Sequence, residues 1–291
     1  MKLSACMIVK NEEAMLEHCL RSLEGVDEII ICDTGSTDKT IEIAKRYTSK
    51  VFSDFVWCDD FAAARNHAIG KATGDWILTI DADEAVAPGS LALIREAIQT
   101  ADKAIECQIK AIDSSQVFYN IRVYKNTPKI KWVKPIHNHL NVAATDRCEA
   151  MIVFGYSPAH TQDPDRAFRI LKKYVEEHPE AGRERYYLAR EYWYRKQYNQ
   201  AVTELDSYFP KASYIPERAD AYLMKARCLW ALRRGEEART ACMYAILNNA
   251  NFKEAVSFMA ELSWTDNADA WRRFAQQCTN EGVLFARTVA T

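Results

Sequence analysis

Three short apolar runs constrain this chain most: Leu3 to Val9, Glu28 to Cys32 and Trp76 to Ile80, each ending on polar or acidic residues. Helical spacing lies between them. Met15, Leu16, Cys19, Leu20 and Leu23 recur on one helical face, as do Ile41, Ile43, Ala44 and Tyr47. Val51-Phe52 reads as a short strand, and Phe61 to Ile69 as a third helix closed by the Gly70 to Gly74 segment. Strands that alternate with helices in this way build a parallel sheet with right-handed crossovers. Such sheets bind ligands at the carboxyl ends of their strands. Asp33 and Asp81 fall at two of those ends.

The pattern changes twice further on. Ala104 to Ile112, Val117 to Tyr124, Ile130 to Val133, Ile136 to Val142 and Met151 to Phe154 read as strands that extend the sheet in mixed or antiparallel fashion. From Asp165 onward only helical periodicity remains. Tyr198-Asn199-Gln200-Ala201, Gly235-Glu236-Glu237-Ala238 and Phe252-Lys253-Glu254-Ala255 repeat a helix start, and Ala221 and Ala255 stand 34 residues apart. A period near 34 with alanines and aromatics in fixed places predicts tetratricopeptide-like helical hairpins. Ten of the 14 tyrosines follow residue 160, as aromatic packing between paired helices requires. Ser157 to Pro164, with two prolines, predicts the boundary between a domain at 1–160 and a helical domain at 161–291.

Composition excludes several classes. With 291 residues, 48% hydrophobic and 27% charged, the chain is long enough for two packed domains and unlike a disordered or fibrous sequence. A formal charge of −2 gives no basic field of the kind that tracks nucleic acid. The nine cysteines include no C-x-x-C pair, so neither a zinc ribbon nor a disulfide framework is expected, and the cytoplasm is the expected compartment. The first residues carry no signal-peptide pattern, and no uncharged apolar window reaches the roughly 18 residues of a membrane span.

The chemistry concentrates at Asp81-Ala82-Asp83-Glu84, directly after the strand Trp76 to Ile80. Two carboxylates two residues apart at a strand end can face one cavity. One can orient a sugar or ribose hydroxyl, and the other can hold a divalent ion that neutralises a diphosphate. Read alone, the same pair is also compatible with a solvated acidic turn. Asp33 is likewise compatible with an Asx turn, and Arg65 with a surface ion pair.

Four segments in order give this acidic turn its context: Met7-Ile8-Val9-Lys10-Asn11-Glu12-Glu13, Ile30-Ile31-Cys32-Asp33-Thr34-Gly35-Ser36-Thr37-Asp38, Ala64-Arg65-Asn66, and Gly74-Asp75-Trp76-Ile77-Leu78-Thr79-Ile80-Asp81-Ala82-Asp83-Glu84. Together they resemble the family 2 glycosyltransferases of the GT-A fold over roughly residues 3 to 160, and the helical tail resembles that of a bacterial and phage branch of the family. The resemblance implies a GT-A type α/β domain with a mostly parallel central sheet, followed by an all-α helical-repeat domain. It implies that Val9 lines the nucleotide pocket with its backbone, that Asp33 contacts base or ribose, and that Arg65 approaches the diphosphate or base edge. It also implies that Asp81 orients ribose or sugar, and that Asp83 holds Mn²⁺ or Mg²⁺.

One departure bears on the catalytic base. Where the branch commonly has Trp, a few residues, then His-Glu, this chain has Trp132-Val133-Lys134-Pro135-Ile136-His137-Asn138-His139. Inverting transfer needs a base to deprotonate the acceptor, and Asn138 cannot serve. His137 and His139, on one face if the segment is a strand, can take a proton or ligate metal. His160 is a second metal candidate and Glu84 a further catalytic carboxylate. The expectation is a metal-dependent inverting transferase that moves a sugar from a nucleotide-sugar, a UDP-sugar foremost, to a glycan, a peptide or a modified nucleic-acid base. Two rivals stand: a catalytically silent domain of this kind serving as a repeat-based scaffold, and a nucleotidyltransferase. Acceptor recognition or homodimerisation is expected of the helical domain, where Arg183 to Lys196 interleaves arginine with tyrosine and tryptophan.

Overall fold

The structure is a computed structural model that describes residues 1–263 and 265–280, without the side chains of His160, Thr265 and Asp266. Its contacts divide the chain into Met1–Arg166 and Ala167–Thr291, six residues beyond the expected boundary at 160. Among the described residues no helix is long and apolar enough to cross a membrane.

The first unit is an eight-stranded sheet with helices on both faces. In chain order its elements are β1 (Leu3–Val9), α1 (Leu16–Ser22), β2 (Glu28–Asp33), α2 (Thr40–Lys45), β3 (Val51–Phe52), α3 (Phe61–Ile69), β4 (Trp76–Thr79), β5 (Glu84–Val86) and α4 (Ser90–Ala97). Then come β6 (Ala104–Ala111), β7 (Val117–Lys125), β8 (Trp132–Val133), β9 (His139–Leu140), β10 (Asp146–Phe154) and a 3-10 turn at Pro158–Thr161. The sheet runs β3-β2-β1-β4-β7-β6-β10-β5, and β8 with β9 forms a separate two-stranded sheet. Pairing is parallel from β3 through β2 and β1 to β4, and again between β6 and β10, while β7 runs antiparallel to β4 and β6, and β5 antiparallel to β10.

Alternation along each strand builds two cores. On β1, Leu3, Ala5, Met7 and Val9 turn to one face with Leu16, Leu20, Ile31, Trp76, Leu78 and Ile94, whereas Cys6 turns to the other with Ile30, Cys32, Ala68, Ile77 and Tyr124. Burial on both faces is why these strands read as continuous apolar runs. Gly74 is required where β4 begins, because a Cβ there would lie 2.5 Å from Ser4 Oγ and 3.0 Å from Ser4 N.

Three details differ from expectation. The strands formed within Ile130 to Val133 and Ile136 to Val142, β8 and β9, pair with each other and do not extend the main sheet. Glu84–Val86 is a strand, paired with the end of β10 and too short to show a pattern of its own. Of the run Ile136 to Val142, only His139–Leu140 is extended in a ladder. Lys134, at φ 75°, and Pro135 precede it, His137 breaks it at φ 48°, and Asn141 closes it by accepting from Lys131 N at 2.8 Å. His137 and His139 therefore do not share a strand face.

The second unit is helical: α5 (beginning in the first unit, Arg166–Glu177), α6 (Arg183–Tyr194), α7 (Tyr198–Tyr208), a 3-10 turn at Phe209–Lys211, α8 (Ile215–Ala231), α9 (Gly235–Asn248), α10 (Lys253–Leu262) and α11 (Thr265–Gln277). Successive helices pack as the hairpins α6–α7, α8–α9 and α10–α11. The repeated alanines Ala201, Ala238 and Ala255 are all fully buried, where a larger side chain would hold the helices apart. In the arginine-aromatic segment, Arg183 pairs with Glu217 at 2.7 Å, Arg185 with Glu204 at 2.7 Å and Arg195 with Glu191 at 2.5 Å. Those charges are satisfied within the helical unit.

Candidate active site

The carboxyl ends of β1, β2 and β4 open into a cavity of about 540 Å³, inside the usual range for small-molecule sites. Its floor is built by two of the segments singled out in the sequence, which turn out to be each other's partners. The β1 end supplies Val9, Lys10, Asn11 and Glu12, and the β2 end supplies Thr34. Asn11, at φ 56°, donates its amide to Ser36 Oγ at 3.0 Å and accepts from Thr37 N at 2.7 Å. Glu12 N donates to Thr40 Oγ1 at 2.7 Å, and Glu13 N to Asp38 Oδ2 at 3.1 Å. The Val9 carbonyl accepts from both Thr34 N, at 2.9 Å, and Thr34 Oγ1, at 3.1 Å. Asp33 is buried, and its carboxylate accepts from Ser36 N at 3.1 Å and Gly35 N at 3.2 Å. It is an Asx turn, and Asp33 is not among the residues that line the cavity.

The acidic turn after β4 is braced by two arginines. Arg65, on α3, places Nη2 2.8 Å from Asp81 Oδ1 and 3.1 Å from Oδ2. Its guanidinium carbon lies 4.9 Å from the centroid of the Trp132 ring. Its Nε and Nη1 are buried without a hydrogen-bond partner among the described residues. Asn66 holds the backbone that carries that ring by donating to Trp132 O at 2.9 Å and accepting from Trp132 N at 3.0 Å. Trp132 Nε1 donates to Tyr124 Oη at 3.0 Å, and the Tyr124 hydroxyl shares a 2.7 Å hydrogen bond with Thr79 Oγ1. Glu84, 4% exposed, accepts from Asp81 N at 2.9 Å and pairs with Arg122 at 2.5 Å. Burial pushes the Glu84 carboxyl up to about 7, against the pull of Arg122.

Of the residues expected at the site, Val9, Arg65, Asp81, Asp83 and Glu84 line this one cavity. His137 is exposed and is not among the lining residues, because it sits in the bend between β8 and β9. The His160 side chain lies outside the described residues. Sequence reasoning passed over Arg122, whose only signal is a charge between Ile121 and Val123 in a strand. It also passed over Trp57, Phe61 and Arg166, which line the cavity from the loop before α3, from α3 and from the start of α5.

The donor set suits a hard divalent ion. Glu12, Asp81, Asp83, Glu84 and Asp163 line the cavity against three cations, Lys10, Arg65 and Arg166. An anionic ligand entering so acidic a cavity needs added positive charge. Among the described residues no three His, Cys, Asp or Glu side chains form a complete metal cage. Mg²⁺ and Mn²⁺ do not need one where phosphate oxygens complete the coordination.

The sequence profile of glycosyl transferase family 2 matches residues 4–162, more than half of the chain. The chain belongs to that family. It is 39% identical over 140 residues to a TPR repeat-containing protein of Synechococcus elongatus, which covers 47% of this chain and 34% of that protein. It is 42% identical over 79 residues to glycosyltransferase SunS of Bacillus phage SPbeta, covering 26% and 19%. It is 34% identical over 107 residues to the lipopolysaccharide core biosynthesis glycosyltransferase LpsC of Rhizobium meliloti, covering 35% and 39%. The matches thus span well under two thirds of these relatives. Among solved structures, S. aureus TarS 1–349 is 14% identical, with a TM-score of 0.45 over 86% of this chain and 90% of that one. Glucosyl-3-phosphoglycerate synthase of Mycobacterium tuberculosis is 22% identical, with a TM-score of 0.33 over 37% and 43%.

Proposed function

We propose that this member of glycosyl transferase family 2 transfers a sugar from a nucleotide-sugar, a UDP-sugar foremost, with inversion at the anomeric carbon. One observation carries the reading: Asp81 and Asp83 both line a cavity at the carboxyl ends of the parallel strands, and Arg65 is locked onto Asp81. Asp81, held in one orientation, accepts a hydrogen bond from a ribose or sugar hydroxyl of the donor. Asp83 is the residue that would hold Mn²⁺ or Mg²⁺. A divalent ion there supplies charge neutralisation for the donor's diphosphate. Asp33 contributes by shaping the turn that presents Thr34. Glu84 is the candidate proton acceptor, since each of its oxygens keeps a lone pair beyond its one hydrogen bond. His137 would have to act from outside the lining. The helical unit is the part proposed to recognise a glycan, peptide or nucleic-acid acceptor, or to pair two copies.

A donor-hydrolysis assay with UDP-, GDP-, ADP- and TDP-sugars tests this. Wild type should release the nucleoside diphosphate from one series in Mn²⁺ or Mg²⁺ and lose the activity in excess chelator. Asp83→Asn should unfold like wild type and lose about a hundredfold or more in rate, as loss of a charge-stabilising group does. Full activity in Asp83→Asn or in chelator would overturn the metal assignment, and pyrophosphate release would mean nucleotidyl transfer. Asn138, in the place of an expected carboxylate, favours a second reading, a silent nucleotide-binding scaffold. Tight nucleotide binding with neither hydrolysis nor transfer would establish it.

A further inference from the structure

Two of the three cations on the cavity wall are uncommitted. Arg65 is occupied by Asp81, but among the described residues neither Lys10 nor Arg166 makes an ion pair. Arg166 is half-buried, and its guanidinium carbon lies 5.0 Å from the centroid of the Phe61 ring. That ring is itself fixed. Trp57 meets it edge-on at 4.9 Å and 75°, Trp57 Nε1 donates to Asp59 Oδ1 at 2.9 Å, and Phe61 N donates to Pro135 O at 2.8 Å. A guanidinium stacked on a ring keeps its in-plane N–H donors available.

The segment leading to Arg166 is pinned to the end of β1. Ser157 Oγ donates to Glu12 Oε2 at 2.5 Å, and Asn11 Nδ2 donates to Gln162 Oε1 at 2.8 Å. Lys10 immediately precedes the pinned Asn11, and Arg166 follows Gln162 by four residues. The two bonds thus bring two cations from opposite ends of the unit's sequence to one cavity. Phe61 and Arg65 stand one turn apart on α3, so the wall runs from Asp81 through Arg65 and Phe61 to Arg166.

We propose that Arg166, assisted by Lys10, binds the phosphate oxygens of the nucleotide and stabilises the diphosphate as it leaves. The inference rests on the donor reading above. When the bond between the anomeric carbon and the terminal phosphate oxygen breaks, its electron pair stays on that oxygen. The acceptor oxygen forms the new bond to carbon, and its proton passes to the base. Charge therefore grows on the phosphate, and a bidentate guanidinium suits that better than the carboxylates around it.

Calorimetric titration with UDP, UMP and uridine in Mn²⁺, and again in chelator, tests the assignment, with the guanosine, adenosine and thymidine series run in parallel. For the series that binds, Arg166→Ala should weaken the diphosphate about tenfold to a hundredfold while the nucleoside keeps its affinity, the loss expected of charge-assisted hydrogen bonds. Arg166→Lys should recover part of the loss, and Lys10→Ala should lose less than Arg166→Ala. An equal loss for diphosphate and nucleoside would overturn the proposal. So would unchanged nucleotide binding in Arg166→Ala with weaker use of an anionic acceptor, which would assign the cation to the acceptor. Wild type that binds no member of any series would instead defeat the donor reading itself.

Discussion

Glu28 stands at the start of β2, at the end of the strand away from the cavity, and its side chain is only 7% exposed. Burial alone would raise its pKa, but four donors outweigh that: the Lys50 ammonium, Ser4 Oγ at 2.5 Å, Thr73 N at 2.8 Å and Thr73 Oγ1 at 3.0 Å. Together they hold the carboxyl at about 2, below its ordinary 4.5. At about 1.4 kcal/mol per pH unit, that difference corresponds to about 3 kcal/mol of folding stability. Because the folded pKa is depressed, the contribution is present above about pH 4.5 and is lost as pH falls toward 2. Glu28→Gln keeps the shape, removes the charge and turns an amide toward some of the same donors. It should cost about 3 kcal/mol at pH 7. Native-state hydrogen exchange of the β1 and β4 amides reads this unit alone, and urea unfolding gives the global value. The gap between variant and wild type should shrink steadily from pH 5 to pH 3. A gap below about 1 kcal/mol at pH 7, no more than one ordinary hydrogen bond, would refute the reasoning, and so would a gap that stays constant with pH.

Gly74→Ala should destabilise the first unit by about 1–3 kcal/mol through overpacking, read as a lower unfolding midpoint, because the new methyl meets Ser4 N and Lys2 O as well as the Ser4 hydroxyl. Unchanged stability would mean that β1 yields there. At the site, Glu84→Gln should lower turnover by about a hundredfold or more, whereas His137→Ala should lower it by less than about fivefold, both checked for intact folding. The reverse order would return the base to the histidine.

The parts of the fold that were legible in the sequence are those in which one element decides its own pattern. Leu3–Val9 and Trp76–Thr79 are apolar because both faces are covered, and the buried alanines at 201, 238 and 255 mark helix contacts at a fixed period. What escaped is set by partners distant in the chain. Arg122 reads as one exposed charge in a strand until Glu84, 38 residues away, is placed beside it. Phe61 reads as an ordinary helix residue until Arg166 lies over its ring. The Ile136 to Val142 run misled for a local reason, since the positive φ of His137 breaks a pattern that hydrophobicity alone makes continuous. At the site, the spacing of Asp81 and Asp83 was informative because a strand end fixes where both point. Asp33 shows a second use of such a place: its oxygens accept from the turn that follows it, and the residue lies outside the cavity lining.

The knitting of Asn11, Glu12 and Glu13 into Ser36, Thr37, Asp38 and Thr40 has a further consequence for how such chains diverge. The side chains of Asn11, Ser36, Asp38 and Thr40 are occupied with backbone N–H groups of the facing segment, so exchanging one of them disturbs the loop before it alters a ligand. Novelty in substrate is then expected first at lining side chains outside these bonds, the ring wall at Trp57 and Phe61. Two chains can share every residue of the mesh and still handle different molecules. Substitutions that retune this protein should therefore come first from that wall.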